Sequence, residues 1–335
     1  MTKIAFVLNI DSGLMEKEAV VNIKSIQNFM RDTQNTIYVI NPYRSKIASE
    51  TCDLFNEKGV IYIEVKMKIP FENRIMSKIW VTAYAEQNFG SFFDFIIFVD
   101  NDTIFLNPLE NSILNDDVHS IFIKQTDFTD DAIIDINDIP MNWEYLLKRY
   151  NINLKDLETI KSARDHVYMY PVFNSGLIIE KPEIKLFSKW LRIAEEISTE
   201  NTFINIIRNN KIYEHYLDQT LLAIAVYILG MQNVKILDEK YNYSLDNIVF
   251  GRVINFNTTK LDIVNFSSMN EKVHIHYHKK YSEKISRYFS SKKIVLFLKE
   301  NFPIKDYQRT TLDKIYSLFG KLHFVLNFKL GRYTR

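Results

Sequence analysis

Short apolar runs that end in polar loops alternate along the chain with longer segments in which apolar residues recur every three or four positions. The short runs are typical of buried parallel strands, and the longer segments are typical of amphipathic helices. Their alternation predicts right-handed crossovers and an α/β fold, with helices on both faces of a mostly parallel sheet. The predicted strands are 4–10, 36–40, 60–65, 92–99, 120–124, 172–180 and 273–277, and the predicted helices are 16–30, 45–58, 73–89, 185–198 and 216–228.

The most apolar predicted strand, residues 92–99, runs directly into Asp100, Asn101 and Asp102. In open α/β folds ligands bind at the carboxyl edge of the sheet, where this strand ends. Alternate residues of an extended segment point the same way, so the two aspartates can face one ion while Asn101 turns aside. Carboxylate oxygens suit Mg²⁺ or Mn²⁺, which could neutralise a pyrophosphate. The alternative is a polar turn after a strand.

Three later segments combine polar side chains with positions where a ligand could come close. The first interrupts the strand at 172–180 with a glycine, which allows close approach of the backbone to a ligand. The second opens the helix at 216–228, and the third alternates histidines in and just after the strand at 273–277. The alternatives are a strand bulge, a helix N-cap and histidines on a solvated edge strand. The residues concerned are Asn174, Ser175, Gly176, Asp218, Gln219, His274, His276 and His278.

In this order, these segments resemble the conserved regions of GT-A-fold glycosyltransferases. The nearest resemblance is to family 8, the group of glycogenin and the bacterial lipopolysaccharide galactosyltransferases. The D-x-D region, the F-N-[SA]-G strand and the D-Q-x-x-L helix start are all similar to segments of this chain. The I-H-F-x-G-x-x-K-P-W region is matched in part, because Lys279 stands at its glycine and no Lys-Pro-Trp follows. The matching segments are 99–102, 106–109, 173–179, 217–222 and 273–280.

The resemblance implies a catalytic domain over residues 1–280, Rossmann-like in its sheet, with residues 127–170 as an insertion or lid. It implies transfer of a sugar from a nucleotide-sugar donor, expected to be a UDP-sugar, to a glycan, glycolipid or protein acceptor. Retention of the anomeric configuration is expected. An inverting enzyme would need a general base, for which the candidates are Asp127, Asp130 and Asp131.

The same resemblance assigns roles to individual residues. Mn²⁺ or Mg²⁺ is expected at Asp100, Asp102 and His276, with His274 and His278 as alternative histidine ligands. Arg74 and Lys78 share one face of the helix at 73–89 and are expected near the donor, with a charged face exposed to solvent as the alternative. Lys279 or Lys280 is expected at the donor phosphates. The donor is expected to contact Asn9, Asp11, Lys78, Asp100, Asn101, Ser175, Gly176 and Lys279, and the catalytic residues beside its anomeric carbon are expected to be Asn174, Asp218 and Gln219.

Two other functions compete with this interpretation. A nucleotidyltransferase uses a related sheet, but it has a glycine-rich phosphate loop where this chain has only Ser12 and Gly13. A non-catalytic nucleotide-sugar or glycan-binding adaptor would keep the fold without turnover. Asp100, Asp102 and the histidine strand favour metal binding and therefore an enzyme.

Composition restricts the possible partners and compartments. The chain has 335 residues, 47% of them apolar, and a formal net charge of +1, which gives no reason to expect nucleic acid as a partner. Its single cysteine, Cys52, excludes an internal disulfide and a cysteine-rich zinc site. The first apolar run meets Asp11 without a signal-peptide cleavage site, and residues 221–230 are too short to span a membrane. We therefore expect a cytoplasmic protein.

The carboxyl-terminal region differs from the rest in charge. From Lys272 onward there are 15 Lys and Arg against 4 Asp and Glu, a net charge of about +11. Residues 286–298 and 312–330 mix basic and apolar side chains, as segments on anionic membranes do. We expect residues 281–335 to form a basic helical region at the inner face of a membrane, near a lipid-linked acceptor. A helical subdomain with a solvated basic face is the alternative.

Overall fold

A seven-stranded sheet lies at the centre of the computed structural model, which describes residues 1–67, 76–126, 132–162, 167–244 and 271–277. The remaining residues, including Arg74, Asp127, Asp130, Asp131, His278, Lys279, Lys280 and the whole basic region 281–335, lie outside the described parts. From one edge to the other the strands are β10 (Val234–Ile236), β6 (Ile121–Gln125), β9 (Phe173–Glu180), β4 (Phe95–Val99), β1 (Lys3–Asn9), β2 (Gln34–Asn41) and β3 (Ile61–Glu64).

The predicted mostly parallel sheet is confirmed. Strand β1 pairs in parallel with β2 and β4, β2 with β3, and β10 with β6. Strand β9 is the exception, because it runs antiparallel to both β4 and β6. It is also continuous, so the predicted interruption of this strand is wrong. The irregularity lies in its register with β6, between Ile123 and Gln125.

Both faces of the sheet are buried, as the near-continuous apolar runs predict. In β4, Ile96 and Phe98 pack into one core cluster, whereas Phe95, Ile97 and Val99 pack into the other. The first cluster includes side chains of α3 (Ser77–Phe89), α5 (Met141–Arg149), α6 (Leu186–Ser198), α7 (Asn201–Arg208) and α9 (Leu217–Leu229). The second includes side chains of α1 (Leu14–Phe29) and α2 (Ser49–Glu57). Two further helices, α4 (Asn111–Leu114) and α8 (Lys211–His215), are short.

A smaller sheet joins distant parts of the chain beside the central one. Its order is β11 (Tyr243–Ser244), β12 (His274–His276) and β5 (Thr103–Phe105), so β12 lies in the middle. His274 is fully buried there. The interpretation of the histidines as residues of a solvated edge strand is therefore wrong for β12. A two-stranded sheet, β7 (Ile160–Lys161) with β8 (Tyr168–Met169), lies within the predicted insertion.

Two predicted boundaries are corrected by local interactions. The helix predicted at 45–58 begins at Ser49, because Asn41 holds Ser45 in a loop: its Oδ1 accepts from Ser45 N at 3.2 Å and its Nδ2 donates to Ser45 O at 2.7 Å. The strand predicted at 92–99 begins at Phe95, since Gly90–Phe92 forms a 3₁₀ turn.

Part of the predicted insertion contributes to the core. Trp143 and Leu146 of α5 are fully buried in the cluster shared with α7 and α9. A lid formed by the rest of residues 127–170 stays a prediction. Within the described ranges, no helix combines the length and the apolar character that a membrane crossing requires.

Two buried glutamates meet where α6 begins, near the end of β9 that lies opposite to Asn174. Glu180 Oε2 accepts from Leu186 N at 3.1 Å, and Glu86 accepts from Phe187 N at 3.0 Å and from Ser188 N at 3.1 Å. These bonds satisfy helix-end N–H groups that lack partners within α6. Burial, followed by the neighbouring Glu86 carboxyl, raises the pKa of Glu180 well above its usual value. Both effects favour the protonated form of Glu180.

Replacing Glu180 by glutamine should remove a pH dependence of stability. Because the folded-state pKa of Glu180 is raised, its contribution is complete below the ordinary value of 4.5 and is lost as pH rises through the folded-state pKa. In urea unfolding across a pH series, the free energy of unfolding of the wild type should fall by up to about 1.4 kcal/mol per pH unit because of this one group. Glu180→Gln should lack it, whereas the exposed Glu183→Gln should keep it. Equal slopes in all three proteins would contradict the assignment.

Candidate active site

The carboxyl ends of β1 and β4 meet the start of β9 at one edge of the sheet. Because β9 is antiparallel, its first residues arrive where β4 ends, and Asp100 N donates to Gly176 O at 2.9 Å. A Cβ at Gly176 would lie 3.2 Å from Asp100 Oδ2, 3.1 Å from Asn174 Oδ1 and 3.0 Å from Asn242 Nδ2. Glycine therefore permits these three polar side chains to converge on one point of the strand.

The Lys78 side chain, on the first turn of α3, joins the separate segments of the site. Its Nζ lies 3.1 Å from Asp100 Oδ1, 3.3 Å from Asp218 Oδ2 and 3.2 Å from Ser175 Oγ. Ser175 Oγ donates in turn to Asp218 Oδ2 at 2.6 Å. One ammonium group thus contacts the residue after β4, the residue at the opening of β9 and the first turn of α9. We call Lys78, Asp100, Ser175 and Asp218 the lysine cluster.

The electrostatics of the cluster keep Lys78 charged. Burial alone would lower the pKa of Lys78, but the Asp100 and Asp218 carboxylates outweigh it, and the pKa is raised. Burial raises the pKa of Asp100, although Lys78 acts in the opposite direction. Asp218 is only 3% exposed and lies within α9, whose N-cap is Tyr216. The helix N-cap interpretation of Asp218 is therefore wrong.

A second contact brings the carboxyl-terminal histidine strand to the same edge. His276 pairs with Thr103 across β12 and β5, and its Nε2 lies 2.9 Å from Asp102 Oδ2. Burial would lower the pKa of His276, but the Asp102 carboxylate more than compensates, and the pKa is raised. The backbone confirms this position, because Tyr277 N donates to Asp102 O at 3.0 Å.

His274 has a different environment from His276. Its ring lies 4.7 Å from that of Phe105, and neither ring nitrogen has a hydrogen-bond partner among the described residues. Burial, with His276 and Lys124, lowers the pKa of His274 to about 3. Of the described histidines of this strand, His276 is therefore the one that meets the Asp-Asn-Asp segment.

The chemistry of Asp100, Asp102 and His276 fits a divalent cation of the Mn²⁺ or Mg²⁺ type, since two carboxylates and an imidazole are suitable donors. As they stand, no three His, Cys, Asp or Glu side chains in the described ranges are grouped to hold a metal. Asp100 is instead held by Lys78, and Asp102 by His276. A cation at these three residues would replace both contacts.

A pocket of about 240 Å³ opens beside the lysine cluster. Asn101 turns away from Asp102, as predicted, and its Nδ2 donates to Asn9 O at 2.5 Å, while Asn9 Nδ2 donates to Ser77 Oγ at 2.6 Å. The Oδ1 atoms of Asn9 and Asn101 are buried without hydrogen-bond partners among the described residues. The pocket is lined by Asn9, Met15, Lys78, Phe98, Val99, Asp100 and Asn101.

The other predicted site residues lie around this pocket or beyond it. Asp11 is buried after β1, where its Oδ1 accepts from Ser12 N at 2.7 Å, but it does not line the pocket. Asn174 and Gln219 are half-buried at the starts of β9 and α9.

Three contacts at the site were not predicted from the sequence. They are the Ser175 to Asp218 hydrogen bond, the Ser77 hydroxyl under Asn9, and the contact of Asn242 with Asn174. Ser77 precedes Lys78 on the same helix turn and could have been considered. Asn242 lies in a loop without periodicity, so no local pattern indicates it.

The mostly parallel sheet with helices packed on both of its faces is the GT-A fold that the sequence predicts. The family model of the Rhodobacterales glycosyltransferase domain matches residues 5–230. The chain therefore belongs to this family of glycosyltransferase domains. Among curated proteins, none matches the chain in sequence.

Solved structures of two glycosyltransferases are similar to the chain. The apo structure of WbbM, a bifunctional glycosyltransferase, has a TM-score of 0.49 and 15% identity, over 89% of this chain and 51% of that one. Mouse xyloside xylosyltransferase 1, also in its apo form, has a TM-score of 0.44 and 11% identity, over 83% of this chain and 98% of that one. This chain thus spans about half the length of WbbM.

Removing the Lys78 ammonium should destabilise the fold strongly. Lys78→Met leaves the Asp100 and Asp218 carboxylates close together without their counter-charge, a change that costs about 3–5 kcal/mol for buried pairs. The matched control is Lys235→Met, which removes a partly exposed ion pair with Asp116 at 3.0 Å and should cost at most about 1 kcal/mol. Urea unfolding without divalent cations measures both. Equal losses would show that Lys78 does not balance the two carboxylates.

Proposed function

We propose that the chain is a metal-dependent, family 8-like hexosyltransferase that transfers a sugar from a UDP-sugar to a glycan, glycolipid or protein acceptor, with retention of configuration. The observation that carries the proposal is the convergence of Asp100, Asp102 and His276 with the lysine cluster at one sheet edge. This convergence joins segments that are separated by more than half of the chain. It places two carboxylates and an imidazole, which are suitable metal donors, next to the buried Lys78 ammonium and beside a pocket.

Asp100, Asp102 and His276 would hold Mn²⁺ or Mg²⁺. When bound, the cation neutralises the charge that develops on the leaving diphosphate. Lys78 adds a second positive charge at the same place once a cation takes Asp100. The nucleoside is held from the side of β1, by Asn9, Asn101 and Asp11.

The remaining residues of the site act on the sugar. Asn174, Gly176 and Gln219 hold the sugar ring, and Ser175 fixes the Asp218 carboxylate near the anomeric carbon, where positive charge develops. The bond between that carbon and the diphosphate oxygen breaks, the acceptor oxygen forms a new bond to the same carbon, and the acceptor proton passes to the leaving diphosphate. A strong general base is not required for this route.

Replacing Asp102 tests the proposed metal site. Asp102→Asn keeps the size of the side chain and removes its charge. Mn²⁺-dependent hydrolysis of a UDP-sugar should therefore fall more than about 100-fold. The reason is that loss of a residue that only hydrogen-bonds to a metal ligand already lowers metal affinity or activity about 10- to 100-fold. Calorimetry of Mn²⁺ with UDP should show the same loss, while the thermal unfolding midpoint stays close to wild type. The exposed Asp53→Asn is the control. Unchanged turnover in Asp102→Asn would refute the site.

A donor panel tests the reaction class. UDP-, GDP- and CDP-sugars should be incubated with the wild type and Mn²⁺, and release of free sugar should be greatest with a UDP-hexose. Metal-dependent UDP binding without release or transfer of sugar would instead support a non-catalytic adaptor. Release of pyrophosphate from a nucleoside triphosphate and a sugar phosphate would support a nucleotidyltransferase.

We also propose that the basic region 281–335 contacts anionic membranes and brings a lipid-linked acceptor to the site. Two observations support this proposal. The region is strongly basic, and the hydrogen bond from Tyr277 N to Asp102 O places residue 277, shortly before the region begins, at the candidate site. Lys279 follows two residues later and is proposed to contact the donor phosphates.

Vesicle binding tests the membrane contact. The full chain should sediment with vesicles that contain phosphatidylglycerol and not with vesicles of phosphatidylcholine alone, and high salt should release it. A chain that ends at residue 280 should stay in the supernatant. Equal recovery of both chains in the supernatant would contradict the contact.

A further inference from the structure

A buried asparagine in the loop between β10 and β11, Asn242, lies against Asn174. Its Nδ2 donates to Asn174 Oδ1 at 2.5 Å, and the same oxygen accepts from the backbone N–H of Gly176 at 2.8 Å. Asn242 lies beyond residues 5–230, which the family model matches. The family match therefore does not extend to Asn242.

The Gly176 backbone fixes the orientation of both carboxamides. A backbone N–H can only donate, so the Asn174 atom that faces it must be the oxygen. That oxygen needs a donor as its other neighbour, so Asn242 must present its nitrogen. The Nδ2 group of the half-buried Asn174 takes part in neither of these contacts and is the part of the carboxamide that a ligand could meet.

Asn242 adopts this position at a cost to folding. It is 3% exposed, its backbone is left-handed at φ 44°, and its Oδ1 is buried without a partner among the described residues. A left-handed backbone and an unpaired buried oxygen both destabilise a fold, and such costs collect at functional sites.

The surroundings of Asn242 hold it rigidly. The side chains of Tyr241 and Tyr243 on either side are buried, and Lys124 Nζ donates to the Asn242 carbonyl at 3.4 Å. A buried side chain on a backbone anchored in this way can fix its neighbour, because its own freedom is already restricted.

We propose that Asn242 is a positioning residue that fixes the Asn174 carboxamide so that its NH₂ group is presented to the sugar of the donor. This inference rests on the proposed function. The preset donor suits a hydroxyl or ring oxygen of the sugar, which then binds without having to order a rotatable side chain. A nucleoside diphosphate without a sugar gains nothing from it.

The variant that tests this is Asn242→Gly. It deletes the carboxamide and keeps the left-handed backbone, which glycine adopts without strain. The matched control is Asn151→Gly, because Asn151 is also left-handed, with φ 53°, but is exposed after α5. Both variants should unfold thermally close to the wild-type temperature, which separates binding effects from loss of the fold.

The affinities are measured by calorimetry. In the presence of Mn²⁺, each protein is titrated separately with UDP, with UDP-glucose and with UDP-galactose. In Asn242→Gly, the affinity for the better-bound UDP-hexose should fall about tenfold, as expected for loss of one hydrogen-bonded contact, while the affinity for UDP stays within about twofold. Asn151→Gly should change neither.

Three results would overturn the inference while UDP binding, and with it the nucleotide site, still stands. In the first, Asn242→Gly binds the UDP-hexose as tightly as the wild type does. In the second, the variant loses the same affinity for UDP as for the UDP-hexose. In the third, the wild type binds neither UDP-hexose more tightly than it binds UDP. A wild type that binds none of these compounds would overturn the proposed function and this inference together.

Discussion

The lysine cluster is the interaction on which the candidate site depends. The ammonium group of Lys78 lies between the Asp100 and Asp218 carboxylates and next to the Ser175 hydroxyl. Two ionised carboxylates buried this close together require a counter-charge, because their repulsion and their desolvation both oppose folding. The ion pairs of Lys78 therefore determine how α3, β4, β9 and α9 meet at the edge of the sheet.

Much of the fold could be predicted from the sequence, because each buried strand and each amphipathic helix has a local pattern. The strand before Asp100 and the helix that begins at Leu217 follow such patterns directly. The direction of β9 could not be predicted in this way, since apolar alternation is the same for parallel and antiparallel strands. Its direction is nevertheless what brings Ser175 and Gly176 to Asp100.

The candidate site was predictable to the extent that its residues share a segment or a recognisable pattern. Family resemblance favoured His276 over its neighbours, and the structure places it against Asp102. The role of Lys78 as a bridge between two carboxylates is a tertiary contact, which spacing along one helix does not reveal. Asn242 illustrates the limit most clearly, because its importance depends on an oxygen of Asn174 and not on its own surroundings in the sequence.

The pairing of β12 with β5 has a consequence for how the protein is made. His276 joins the Asp-Asn-Asp segment only through a strand that is synthesised more than 160 residues later. During translation, the family-matched part of the chain emerges from the ribosome before this strand does. The nascent chain can then bury most of its central sheet before His276 reaches Asp102, so the candidate site is completed only once residue 277 has been synthesised.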